Sequence, residues 1–141
     1  MRKLVVTSGL FVLCFIILSC SSQKRLDPKL KRDWKLIEFS DFNKQLLMQY
    51  NVGMDLAQKH TVVYVGCKSQ QISFVVKSEN KVKIWVNPNP VESCSGEING
   101  NLRLKLNGFL KGTKAYLVEG HFLTLYNADG SKIKFVAADW D

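Results

Sequence analysis

From Trp34 onward the apolar residues of this chain fall in short runs that alternate with polar ones and are separated by turn residues, the period-two signature of half-buried strands. Trp34, Leu36, Ile37 and Phe39 predict a first strand, and the β-branched run Thr61 to Val65 predicts a second, buried one. Ile72, Phe74 and Val76 alternate with Ser73, Val75 and Lys77; Val82, Ile84 and Val86 alternate with Lys83 and Trp85. Ser78-Glu79-Asn80 between them reads as a hairpin turn. Three further strands, Ala115 to Val118, Phe122 to Tyr126 and Ile133 to Val136, are joined by Glu119-Gly120 and Asn127-Ala128-Asp129-Gly130. The pattern predicts an antiparallel meander.

Two stretches do not follow this period. Residues 40 to 59 carry Leu46, Leu47, Met48, Tyr50, Met54 and Leu56 without clean spacing and read as a long excursion before the second strand. Residues 97 to 111 fit both templates, because Leu102, Leu104 and Leu106 alternate like a strand while Ile98, Leu102, Leu106, Phe109 and Leu110 recur at helical spacing. Gly100 and Gly108 each disfavour the helix by about 1 kcal/mol.

The N-terminus has a different character. Met1-Arg2-Lys3 is a positive start, followed by an apolar stretch from Leu4 to Leu18 broken only by Thr7, Ser8 and Gly9. A bilayer-spanning helix needs about 20 apolar residues, so this stretch reads as a signal-peptide core, with an uncleaved hydrophobic anchor as the alternative. Ile17-Leu18-Ser19-Cys20 resembles the lipobox of bacterial lipoproteins. That resemblance implies diacylglycerol transfer to the Cys20 sulfur, cleavage between Ser19 and Cys20, and acylation of the new amino group. Each buried methylene then contributes ~0.8 kcal/mol, so two or three chains anchor stably. Cys14 leaves with the signal peptide. By resemblance to a known sorting rule, Ser21 in place of Asp favours the outer over the inner membrane, with the domain in the periplasm or at the cell surface.

Three regions result: a signal peptide over 1–19, a lipidated cysteine with a flexible basic tether over 20–32, and one domain over 33–141. Lys24, Arg25, Lys29, Lys31 and Arg32 crowd the tether around Asp27-Pro28. They read either as a basic strip lying on anionic head groups or as a solvated spacer. The chain has 141 residues, a net charge of +8 and 46% hydrophobic residues, a composition that supports one globular core. Loss of residues 1–19 removes Arg2 and Lys3 and leaves 18 basic residues against 12 acidic ones. Such an excess favours anionic surfaces, and export argues against nucleic acid as the partner.

The order of landmarks carries a second resemblance. Trp34-Lys35-Leu36 opens the domain, Gly66-Cys67 precedes an alternating strand, and Cys94 follows a Pro-rich stretch. A Leu-rich segment and the closing run Tyr116 to Tyr126 come last. Over residues 33 to 137 this series resembles the META/HslJ-like domains, small β-rich domains of envelope lipoproteins associated with heat-shock and stress settings. The chain departs from that family at Gly66-Cys67-Lys68, where the family has Gly-Cys-Asn, and at Pro90-Val91-Glu92-Ser93-Cys94, where it has a Thr-containing run ending in Met-Ala-Cys. The resemblance implies a helix for residues 97–111, packed across a curved sheet. The expected fold is thus α+β, mostly antiparallel β, a small curved sheet or barrel-like β meander with one helix packed across it. It implies no catalytic activity and no cofactor.

With Cys20 lipidated, Cys67 and Cys94 are the remaining thiols. In an oxidising envelope they are most simply a disulfide, stabilising by ~3 to 4 kcal/mol in the chain-entropy model. The competing readings are a metal or nucleophile site with His60 or His121, and unpaired buried thiols. Neither histidine stands at metal-ligand spacing from a cysteine, and His121 reads as an exposed turn residue. No metal site and no catalytic residue is expected. Trp85, Trp140 and Tyr64 read as core or cross-strand packing, or as the lining of a ligand cleft. Three functions follow as expectations. The first is a non-catalytic envelope lipoprotein that binds a protein or small ligand, or supports the envelope under stress. The second is a hydrolase or redox protein acting through Cys67. The third is an electrostatic binder of anionic lipid or glycan using Lys68, Lys77, Lys81, Lys83, Lys111, Lys114, Lys132 and Lys134.

Overall fold

The computed structural model of the chain describes residues 26–89, 91–92 and 100–140. The strands are β1 (Asp33–Glu38), β2 (Val52–Asp55), β3 (Val62–Val65), β4 (Lys68–Ser78), β5 (Lys81–Val86), β6 (Val91–Glu92), β7 (Thr113–Glu119), β8 (Phe122–Asn127) and β9 (Lys132–Ala137). Two helices interrupt them, α1 (Lys44–Gln49) and α2 (Gly100–Gly112). Chain neighbours pair antiparallel from β1 through β5, then β5 with β7, β7 with β8 and β8 with β9. β9 then pairs back onto β1, with Leu36 opposite Phe135 and Trp34 opposite Ala137, and the meander becomes a closed eight-strand barrel. The short β6 continues the line of β5 alongside β4: Val86 stands opposite Ile72, and after an irregular step Val91 stands opposite Ser69.

Alternation decides which side chains enter the barrel. Trp34, Leu36, Met54, Val63, Val65, Ile72, Phe74, Ile84, Leu123, Leu125, Ile133 and Phe135 belong to one buried cluster that includes Leu102, Leu106 and Leu110 of α2. Because these side chains meet in one buried cluster, they fill the interior of the ring. In α2 the buried leucines stand at i, i+4 and i+8, whereas Leu104 is 74% exposed. Helical spacing therefore prevails over alternation, because the barrel offers one flank to the helix. Asn107 of α2 donates to the buried Gln70 of β4, and the Gln70 amide donates to the Asn87 carbonyl (2.9 Å), so the polar contact at this junction is satisfied. Residues 97 to 99 of the expected helix lie outside the described residues.

Three expectations are corrected. There are two helices, not one. The excursion at 40–59 holds α1 and β2: Asn43 caps α1 by accepting from the Leu46 amide (2.8 Å), and Leu47 is buried. Its period was hidden because Gly53 occupies an outward position of β2, where Tyr64 of β3 lies across it. A Cβ there would stand 2.3 Å from the Trp34 carbonyl oxygen and 2.5 Å from the Tyr64 hydroxyl.

The third correction concerns the tether. Residues 26–32, assigned to a flexible spacer, form an ordered strap against the barrel. Asp27 and Pro28 open a turn closed by the Leu30 amide on the Asp27 carbonyl (2.8 Å), and the Asp27 carboxylate accepts from the Lys29 amide (2.9 Å). Leu30 is fully buried, and its carbonyl accepts from the Trp34 indole N–H (3.0 Å). Arg32 gives its carbonyl to the Leu56 amide (3.0 Å). The strap enters at the barrel end formed by the start of β1, the end of β9 and the β7–β8 turn.

Leu30→Ala should cost about 2–5 kcal/mol, against a change within about 0.5 kcal/mol for the exposed neighbour Lys29→Ala. Gly53→Ala should cost about 1–3 kcal/mol by overpacking. The urea midpoint at constant slope measures both, and a flexible spacer would leave Leu30→Ala at the wild-type midpoint.

Candidate binding groove on the barrel wall

A groove of about 400 Å³ runs over β1 and β9, lined by Lys35, Ile37, Lys44, Met48, Val136 and Trp140 with the neighbouring backbone. Its making is local. α1 has three successive apolar residues, Leu46-Leu47-Met48, and a helix of six residues cannot turn all three inward. Leu47 takes the buried place and Met48 is left 67% exposed. At the other end Trp140 is 47% exposed and lies flat on His121, with ring centroids 5.1 Å apart and 12° between planes. Phe122 meets the same indole edge-on at 5.4 Å.

Arg32 of the strap sets the Trp140 end. Its guanidinium donates to the Asp139 carboxylate at 3.1 and 2.6 Å and to Nδ1 of His121 at 3.2 Å. The hydrogen bond from Arg32, ahead of the charge of Arg32, holds the Asp139 carboxyl below the usual carboxylate range. The chain continues as a turn, with the Trp140 amide on the Ala137 carbonyl (3.2 Å).

The groove's charge is of one sign. Its lining includes two ammonium groups, Lys35 and Lys44, and no carboxylate. Lys35 is held on the wall by Asn51 (3.0 Å), by the Asp33 carboxylate (3.5 Å) and over the Tyr64 ring (4.7 Å). Lys44 has no ion-pair partner among the described residues. Tyr64 donates to Asp33 (2.7 Å); burial first, then that hydrogen bond and the charges of Asp33 and Asp55, push its phenol far above the ordinary range. Tyr64 is thus a fixed neutral donor. The arrangement can hold an apolar chain against the wall and pair an anion at its rim.

The residues singled out from sequence disperse. Ser19, Cys20 and Cys94 lie outside the described residues. Cys67 sits in the β3–β4 turn after Gly66, whose φ of 64° suits glycine, and is exposed and disulfide-bonded. His60 and His121 are both exposed, in separate loops. Among the described residues no three His, Cys, Asp or Glu side chains are grouped as metal ligands. Trp85 is neither core nor part of the groove: it is 58% exposed on the outer face, under the Lys83 ammonium at 4.2 Å. The eight lysines do not share a face. Lys77 and Lys81 flank the β4–β5 turn at the strap end of the barrel, Lys68 and Lys132 lie at the opposite end, and Lys134 is laid over Phe122 (4.5 Å). Trp140, named from sequence as a possible cleft residue, does line one. Lys35, Lys44 and Met48 were not foreseen, and the only signal for Met48 was its place in an apolar triplet too wide for one helix face.

Comparison with family models, with curated proteins and with solved structures finds no match.

Replacing Asp139 by Asn should reveal the strap contact through pH. Because the folded pKa is lowered, the ionised carboxylate stabilises above the unfolded value of about 3.9, and that contribution disappears as pH falls through the folded value. Thermal denaturation should place wild type above Asp139→Asn at neutral pH, with the gap closing below about pH 3.9. A gap unchanged in acid would show that Arg32 draws nothing from this charge.

Proposed function

We propose that the protein is a membrane-anchored envelope lipoprotein whose non-catalytic barrel, akin to the META/HslJ-like domains, binds a ligand in the wall groove. The groove carries this reading: exposed Met48 and Trp140 face one concavity under a cationic rim. The anchoring half is supported by Ile17-Leu18-Ser19-Cys20 and by the strap. Leu26 follows Cys20 by six residues, and six extended residues span at most about 20 Å. A lipid on Cys20 therefore holds the strap end of the barrel at the bilayer. The helix α2 ahead of β7 and β8 supports the family likeness, and Ser21 favours the outer membrane.

A hydrolase or redox role through Cys67 is opposed by its disulfide, since the thiolate is the nucleophile and a bridged sulfur has none. The partner we propose for it is Cys94. Lys68 of β4 stands opposite Glu92 of β6, so Cys67 lies one residue before, and Cys94 two residues after, a directly paired position. An electrostatic binder is opposed by the scatter of the eight lysines.

Two measurements on protein purified from its native membrane test this reading. Intact mass should correspond to a chain beginning at Cys20 and carrying acyl groups, and Cys20→Ser should leave an unacylated precursor. Thiol titration of the denatured, unreduced mature protein should find no free thiol. An intact precursor without fatty acid would overturn the anchor, and free thiols would overturn the pairing and readmit Cys67 as a nucleophile.

A further inference from the structure

The binding reading leaves the ligand's chemistry open, and the groove narrows it. Among the described residues the large hydrophobic side chains most exposed to water are Met48, Val75, Trp85, Leu104 and Trp140, and two of these five line this one groove. Exposed apolar surface of this kind, gathered in a concavity, marks a binding site. Ile37, Val136 and Ala138 add aliphatic contacts, and the one polar amide in the lining, Asn51, accepts from Lys35. Beside them stand the ammonium of Lys44, unpaired among the described residues, and that of Lys35. Three other concavities differ in kind: one is bordered by Glu38, one by Asp27 and Glu79, and the third, beside α2, sets Leu104 among the polar Gln70, Arg103, Asn107 and Lys111 and has no aromatic side chain.

An apolar track whose lining holds no carboxylate, and whose rim presents one ammonium without an ion-pair partner among the described residues, that of Lys44, matches a molecule with one hydrocarbon chain and one negative head. A peptide would bring backbone donors and acceptors, and the barrel wall is closed by β1–β9 pairing, so it offers no free strand edge here to receive them. The position of the groove points to the source. Trp140 lies beside Asp139 and Arg32 at the strap end, the end that an acylated Cys20 would hold at the bilayer.

Resting on the binding reading above, we propose that the groove takes a single-chain anionic amphiphile of the fatty-acid type drawn from the membrane, its chain along Met48, Ile37, Val136 and Trp140 and its head group at Lys44.

The test uses the mature chain, residues 20–141, with Cys20→Ser so that no acyl group is attached; every described element lies within residues 26–140 and is retained. Dodecanoate, kept below micelle-forming concentration, is titrated by calorimetry and by tryptophan emission. The expected result is saturable one-site binding with a change in emission that Trp140→Phe abolishes. Lys44→Glu should weaken binding roughly tenfold, the loss expected for one charge-assisted contact. Lys111→Glu, on α2 and away from the groove, should change it by less than about twofold. Met48→Ser, at an exposed site, gives a second variant that should also weaken binding, and unchanged thermal midpoints certify that both variants fold.

Three results overturn the proposal: no binding of dodecanoate, equal affinity for dodecyltrimethylammonium, or a Lys44→Glu variant that binds as wild type. Sedimentation showing a dimer that dodecanoate does not dissociate also overturns it, by assigning the groove to a second copy. None of these results bears on acylation of Cys20, which intact mass decides separately, so the anchor and the ligand can fail independently.

Discussion

The structure depends on ring closure between its first and last strands. Until β9 pairs with β1, the meander is an open sheet with two unpaired edges and an apolar face exposed to water; afterwards no barrel strand lacks a neighbour on either side. Closure in turn sets the inventory of side chains. An eight-strand ring has an interior that must be filled; Trp34, Phe74, Phe135 and aliphatic residues of the other strands fill it, with Tyr116 and Val118 of β7 packed partly against them. Its ends need covers. The leucines of α2 pack into the core beside β5, and Leu30 is buried at the opposite end, where the strap begins β1.

Closure also explains where a binding surface can be. A packed interior has no room for a ligand, and where β1 and β9 pair the wall has no free edge to which a strand could add. What remains is the wall, where the side chains pointing outward are decorated by whatever the loops lay across them. α1 is the loop element that does this for β1, and the residues after β9 do it from the other side. Neither is a barrel strand, so the groove is made by insertions on a regular scaffold.

Legibility in the sequence followed the same division. Strands with one buried face were readable because the barrel enforces period two on them, as in Ile72-Phe74-Val76 and Val82-Ile84-Val86. α2 satisfied two periods at once, and the choice between them depended on whether Leu104 or Leu110 met the core, a tertiary fact. β2 was unreadable because Gly53 removes the side chain from its outward position and a cross-strand Tyr64 takes that space, so half of the alternation belongs to another segment. Leu30 was overlooked for a different reason: Lys29, Lys31 and Arg32 surround it, and charge density outweighed one leucine whose partners, Trp34 among them, are fixed by contact rather than by spacing. The groove was least legible of all. Its lining comes from β1, α1, the start of β2, the end of β9 and Trp140, and no local rule connects Met48 with Trp140 across that distance in the chain.

The strap joins the two halves of the molecule's proposed role. Arg32 belongs to the segment that leads from Cys20 into β1, and its guanidinium bridges Asp139, which precedes Trp140 in the chain, and His121, on which the Trp140 indole is stacked. Isolated surface ion pairs contribute little to stability, and Asp139 is well exposed, so the value of this contact is positional. It ties the strap to Asp139, the residue before Trp140. Because Leu30 locks the strap into the barrel core, the indole at the groove's end is held by a chain of contacts running from the core through Trp34 and Arg32 to Asp139. On the proposed anchoring, the aromatic end of the groove stays at the end of the barrel from which the tether departs.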